Sequence, residues 1–171
     1  PVQKTGSPLP REAIARRSAR DHGLLRFLCV AARRAAAAAA AAGSSSLAER
    51  DKVATTGSAV SSATASGRSK LFSFYTAVVL EALGSLNSMN ESLLRALVPD
   101  VLHGLSATRS PEYQMSSYMI LSALAAKGPL ASEVTGAALS ALICKPCRRG
   151  LEPPLLCAIA VVQTQVGFAS R

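Results

Sequence analysis

An all-α fold built from stacked helix pairs is predicted by three features of this sequence. Large apolar residues recur at helical spacing over its second half, one helical stretch resembles another at a fixed offset, and strand-length runs of β-branched residues are rare. Ala, Leu and Ser dominate the composition, aromatics make up only 4% and Trp is absent, so intrinsic propensity also favours helix. With 171 residues and 49% hydrophobic content the chain can bury a core within the size of one domain. It starts at Pro1 without an initiator Met and stops at Arg171 beside an apolar run, which suggests an excerpt from a longer protein.

Residues 1–10 contain Pro1, Pro8 and Pro10 and are expected to form an irregular lead-in. Residues 11–42 are expected to form one N-terminal helical segment, with Leu24, Leu25, Phe27, Leu28 and Val30 as its apolar part and Ala35 to Ala42 as its tail. Gly43 and Ser44 to Ser46 should end it. Residues 43–69 are mostly Ser, Thr, Ala and Gly with almost no large apolar side chain, so a disordered Ala/Ser-rich loop is expected there.

Beyond residue 70 the periodicity is plain. Leu71, Tyr75, Val78, Val79, Ala82, Leu83 and Leu86 fall on one helical face. Asn90 is a suitable N-cap for a helix carrying Leu93, Leu94, Leu97, Val98, Val101, Leu102 and Leu105, with Pro99 inside it as an expected kink. Ser110, Pro111 and Glu112 mark a third start, for a helix that ends at Gly128 and Pro129. A fourth begins near Ser132 and Glu133 and carries Leu139, Leu142 and Ile143. After the break at Pro146, Gly150, Pro153 and Pro154, a last helix sets Leu155, Ile159, Val162 and Val166 on one side.

The stretch Tyr75 to Leu83 (YTAVVLEAL) aligns with Tyr118 to Ala126 (YMILSALAA) at an offset of 43 residues. Taking each of these helices with the one after it as a pair, the spacing is that of HEAT or armadillo arrays, roughly 40–47 residues. A single pair cannot cover its own apolar face, so neighbours stack. A HEAT-like α-solenoid of antiparallel helix pairs over 70–171 is therefore the expected architecture, and a closed bundle the alternative.

The formal net charge is +9, and it is unevenly spread. Residues 1–68 hold 11 Lys/Arg against 4 Asp/Glu, whereas residues 69–171 hold 8 against 6. Arg11, Arg16, Arg17, Arg20, Arg26, Arg33 and Arg34 account for most of the excess. Such a segment is drawn to polyanions such as RNA or to acidic protein faces, and Arg16, Arg17, Arg20, Arg33 and Arg34 are the candidate contacts. A solvated helix face is the plainer reading.

Sites for chemistry are sparse. Cys144-Lys145-Pro146-Cys147 has the CxxC spacing, but it follows a helix C-terminus, no βαβ pattern surrounds it, and no nearby His or second CxxC completes a zinc set. Four irregularly placed cysteines fit a reducing compartment better than a disulfide framework. His22 and His103 lie on different expected helices, and neither a phosphate-binding loop nor HExxH occurs. Tyr113, Met115, Tyr118 and Met119 are expected to be inter-repeat core. The apolar runs are too short to cross a bilayer, being interrupted by Glu81, Gln163 and Gln165. No catalysis, cofactor, metal, small-molecule substrate or membrane contact is expected.

Three stretches resemble a known family: Ala19-Arg20-Asp21-His22-Gly23-Leu24-Leu25-Arg26-Phe27, Leu97-Val98-Pro99-Asp100-Val101-Leu102-His103-Gly104-Leu105, and Pro111-Glu112-Tyr113-Gln114-Met115-Ser116-Ser117-Tyr118-Met119-Ile120-Leu121. Together they are similar to the large HEAT-repeat, U three small nucleolar RNA-associated protein family of the small-subunit processome, over roughly residues 19–30 and 70–145. The Ala- and Ser-rich stretch 35–68 departs from the family pattern. The resemblance implies a nucleolar scaffold in ribosome biogenesis, acting in processing of pre-18S ribosomal RNA. Its partners would be processome proteins, the U three small nucleolar ribonucleoprotein and pre-ribosomal RNA. A HEAT or armadillo adaptor that carries protein cargo is the alternative.

Overall fold

Asp21 divides the N-terminal helical segment that the sequence presents as continuous. Its backbone is extended (φ −106°, ψ 93°), and this separates α1 (Arg11–Arg20) from α2 (His22–Ala48). The Asp21 carboxylate accepts from the backbone N–H of Gly23 at 3.0 Å and Leu24 at 3.3 Å, which satisfies donors that open α2. The computed structural model describes residues 10–48, 58–86, 89–145 and 147–170. Of the expected lead-in over residues 1–10, only Pro10 lies among them.

The expectation of a disordered loop over 43–69 is corrected at both ends. α2 continues through Gly43 to Ala48, and α3 (Ser58–Gly84) is already helical at Ser58; residues 49–57 lie outside the described residues. Low burial does not stop a helix that has already nucleated. Each further residue adds a hydrogen bond without a new nucleus, and one Gly costs only about 1 kcal/mol against Ala.

The later helices follow the expected starts more closely. Asn90 caps α4 (Glu91–Leu105), its side chain accepting from Ser92 N at 3.0 Å. Pro99 sits on the exposed side of α4, and the helix runs on past it to Leu105. α5 (Pro111–Lys127) begins at Pro111, yet the Ser110 hydroxyl makes no capping bond. The start rests instead on proline, whose missing N–H would have been unpaired at this position anyway. α6 spans Ser132–Cys144 and α7 spans Glu152–Ala169, the latter with Pro153 and Pro154 in its first turn.

Among the described residues the fold is all-α, a two-layer stack. One layer runs α1, α3, α5, α7, each helix packed on the next, and the other runs α2, α4, α6. α1 and α7 do not touch, nor do α2 and α6, so the helices do not close around one centre. The pairing frame also differs from the expected one. α3 does not pack on α4, nor α5 on α6; the packed pairs are α2 with α3, α4 with α5, and α6 with α7. All these connections look alike in sequence, which is why periodicity alone assigned the wrong frame. The similar stretches at Tyr75 and Tyr118 occupy α3 and α5, equivalent positions of one layer.

α4 and α5 run antiparallel. Val98 and Val101 share a small apolar pocket with Leu121 and Leu124, while Gly104 at the other end lies against Ser117 and Tyr113. A Cβ at Gly104 would overlap Ser117 Oγ, so glycine sets how closely these helices approach. The core between the layers contains Leu25, Tyr75, Val78, Leu83, Leu97, Leu105, Tyr113, Ile120, Leu121 and Leu124, all essentially inaccessible. The Tyr113 ring lies 5.7 Å from Phe72 and 6.4 Å from Tyr75, tying α5 to α3.

Polar side chains stitch the helix ends together. Lys127 of α5 donates to the carbonyls of Gly84 and Leu86 at the end of α3. Gln165 of α7 repeats the device on α5: its amide donates to Ala125 O at 3.1 Å and Gly128 O at 3.3 Å, while its oxygen accepts from Leu130 N at 2.7 Å. Gln114, fully buried, donates to Leu105 O and Lys145 O, both at 2.9 Å, and so holds the ends of α4 and α6 at once.

Gln114→Leu keeps the volume but leaves two carbonyls without that donor. It should lower unfolding free energy by about 1–3 kcal/mol, read from urea denaturation followed by circular dichroism.

Candidate functional site

The five candidate arginines are not equivalent in the fold. Arg16 pairs with Glu12 at 3.7 Å and Arg17 with Asp21 at 3.4 Å, each one turn apart. Arg33 reaches across to α4 and pairs with Asp100 at 3.3 Å. Arg20 and Arg34 carry no ion pair among the described residues and are exposed. All five lie on α1 and α2, and both helices contribute to the same end of the stack.

Two residues that the candidate set omitted belong to this region. Arg26 is exposed and also has no ion pair among the described residues. Phe27, grouped by the sequence with the apolar core of its helix, is 66% exposed. The buried stripe of α2 is Leu25, Leu28, Cys29, Ala32 and Ala36, and Phe27 lies outside it. The signal was available: positions 25, 28, 29, 32 and 36 recur at helical spacing, and residue 27 is out of phase with them.

Beneath Arg33 is a buried polar cluster. The Tyr113 hydroxyl donates to Asp100 O at 3.2 Å, and Cys29 Sγ lies 3.9 Å from the Tyr75 hydroxyl. Burial, with the Asp100 charge nearby, pushes the Cys29 thiol up to about 11. Burial likewise pushes the Tyr75 and Tyr113 hydroxyls well above their ordinary range. Groups shifted in this direction stay neutral and unreactive at neutral pH, so the cluster works as packing that joins α2, α3, α4 and α5.

The CxxC cysteines are set apart by their surroundings: Cys144 is exposed, while Cys147 is buried. Cys157 is buried against α5, its thiol donating to Tyr118 O at 3.5 Å, and burial raises its pKa. His22 lies on α2 and His103 on α4, the latter ring 6.4 Å from Tyr113. No group of three or more His, Cys, Asp or Glu that could hold a metal ion occurs among the described residues.

The expectation that Tyr113, Met115, Tyr118 and Met119 form core holds only for the tyrosines. Both rings are buried, whereas Met119 is half-exposed and Met115 partly so. With Leu80 they line a groove between α3 and α5 that is bordered by Glu112 and Arg149 and becomes apolar towards Pro153 and Leu156 at the start of α7. The last apolar stripe departs further from expectation. Leu155, Ile159, Val162 and Val166 do share one side of α7, but that side faces outward, and the buried residues are Pro154, Cys157 and Val161. Ile143, expected on the packed face of α6, is 74% exposed. The outward side of α7, the last of the described helices, is therefore apolar. No described helix is long and apolar enough to cross a membrane.

Residues 93–170, just under half of the chain, match the family model described as U3 small nucleolar RNA-associated protein 10. The match runs from the first turn of α4 through α7, so the basic α1–α2 region and α3 lie outside it. Neither a curated protein nor a solved structure matches the chain.

Two measurements check the thiol environments. A thiol reagent such as Ellman's should modify Cys144 in the native protein and reach Cys29, Cys147 and Cys157 only on unfolding. Because Cys29 keeps its proton in the folded chain up to about 11, against an ordinary value of 9.0, stability should not depend on this thiol well below pH 9. It should then fall as pH rises from 9 towards 11, since the unfolded chain releases that proton first. Thermal melts across this range should show the decline, and Cys29→Ala should reduce its slope.

Proposed function

We propose that this chain is a non-catalytic scaffold segment of HEAT-repeat type that works in ribosome biogenesis, in the processing of pre-18S ribosomal RNA within the small-subunit processome. The observation that carries the reading is the similarity of residues 93–170 to the U3 small nucleolar RNA-associated protein 10 family. The architecture supports it: a stack of helix pairs offers long faces to partners, and α7 carries an exposed apolar side. Processome proteins and the U3 small nucleolar ribonucleoprotein are the partners implied, pre-ribosomal RNA is a further one, and the nucleolus is the location that follows.

A second reading, an adaptor that carries protein cargo, draws support from the methionine-lined groove between α3 and α5. Methionine side chains adapt to varied apolar surfaces and suit a helix laid into a groove.

Affinity purification of the tagged chain from nuclear extract separates the two readings. The scaffold reading expects U3 small nucleolar RNA, precursor 18S RNA and processome proteins to be enriched. Recovery of transport receptors or soluble cargo without those RNAs would overturn it. If the apolar face of α7 is one of the partner contacts, Ile159→Lys with Val166→Lys should lower processome recovery by about tenfold, the effect of roughly 1.4 kcal/mol of lost burial. The melting temperature should stay unchanged, because both side chains are exposed.

A further inference from the structure

α2 carries three arginines and not one acidic residue along its whole length. Arg33 is neutralised by Asp100 from α4. Arg26 and Arg34 are exposed and have no ion pair among the described residues. Phe27 follows Arg26 directly, and Arg34 lies seven residues beyond Phe27, two turns along the same side of the helix at a rise of about 10 Å. Ala37 and Ala38, also exposed, keep the surface beyond them low.

A phenyl ring left 66% exposed gains nothing from water and stands ready to be covered. What covers it must also meet two guanidinium groups that no carboxylate among the described residues satisfies. A flexible polyanion with exposed flat apolar faces meets both demands, and single-stranded nucleic acid has that composition, phosphates alternating with unstacked bases. A duplex does not fit, because its base faces are hidden in the stack. An acidic peptide would answer the arginines and leave the ring bare.

We propose that the outer face of α2 binds single-stranded RNA, one base stacking on the Phe27 ring while flanking phosphates pair with Arg26 and Arg34. The choice of RNA over DNA rests on the ribosome-biogenesis reading above; the surface chemistry does not. Arg20 extends the positive field at the end of α1. Arg16, Arg17 and Arg33 contribute less, because Glu12, Asp21 and Asp100 already hold them.

Fluorescence anisotropy of the purified 171-residue chain with a labelled oligouridylate tests the assignment. Phe27→Ala should weaken binding by between about five- and a hundred-fold, the range of a lost base–aromatic stack, without altering the salt dependence. Phe27→Trp should restore it. Arg26→Gln with Arg34→Gln should flatten the slope of log K against log salt by about 1.4, two single-strand phosphate contacts. Arg16→Gln with Arg17→Gln should change affinity by less than about threefold. All the substituted side chains are exposed, so circular dichroism should show each variant folded. Unchanged binding by Phe27→Ala, equal affinity for a duplex of the same length, or displacement by polyglutamate at equal charge would each overturn the proposal, the last pointing to an acidic protein instead. A negative result on the isolated chain leaves the co-purification outcome untouched, so the two readings fail separately.

Discussion

α5 is covered by α3, α4 and α7, with α2 touching it as well, and a helix so enclosed has to place most of its polar donors against protein carbonyls. It does so in two ways. Ser116, Ser117 and Ser122 turn their hydroxyls back to the carbonyls of Glu112, Tyr113 and Tyr118, so these three serines are accommodated without stranding their hydroxyls. Gln114 reaches outward and holds the carbonyl ends of α4 and α6, one on each side. Both layers of the stack therefore lean on one helix, and the register between neighbouring pairs is fixed by hydrogen bonds as well as by apolar area. Apolar packing tolerates sliding; a carboxamide shared between two helix ends does not.

How much of this the sequence disclosed depends on which level is asked about. Faces set by large apolar residues were legible, because Tyr75, Val78, Val79 and Leu83 have one buried direction and repeat at 3.6 residues. The Asn90 cap was legible as local chemistry. The break at Asp21 was not, since a single Asp inside an arginine-rich helical stretch signals an exposed residue as readily as a cap. The pairing frame was not legible either, because it depends on which helix crosses to which. The true partners of Lys127 and Gln165 lie about 40 residues away in sequence. Gln165 illustrates the loss of meaning: in sequence it only interrupts an apolar run, and in the fold it closes the end of α5.

The candidate surface was half legible. Composition located the positive charge on α1 and α2, but it could not show that Glu12, Asp21 and Asp100 would occupy three of the five named arginines. Two of those partners are four residues away and could have been foreseen; Asp100 arrives only through the packing of α2 on α4. The apolar stripe of α7 was found with the right spacing, but the sequence did not show that this side faces outward. Periodicity gives the angle of a stripe around its helix, not whether another helix lies over it. α7 has one apolar direction packed on α5 and α6 and another with no neighbour among the described residues, so the two signals coexist and the larger side chains need not mark the buried one.

That same property decides where partners can act. Farther along the chain, Arg95 is held by Glu91 at 2.7 Å and Arg149 by Glu112 at 2.8 Å, so part of the basic charge there is spent within the fold. α2 has no such internal balance, and α7 has apolar side chains where α2 has charge. α2 and α7 thus present different chemistries, a positive aromatic-bearing face and an oily one. Electrostatic attraction acts over about 8 Å at physiological salt and governs approach, whereas apolar contact acts only at touching distance and governs residence. Because α2 and α7 do not touch among the described residues, a charged partner on one and an apolar partner on the other need not compete for the same surface.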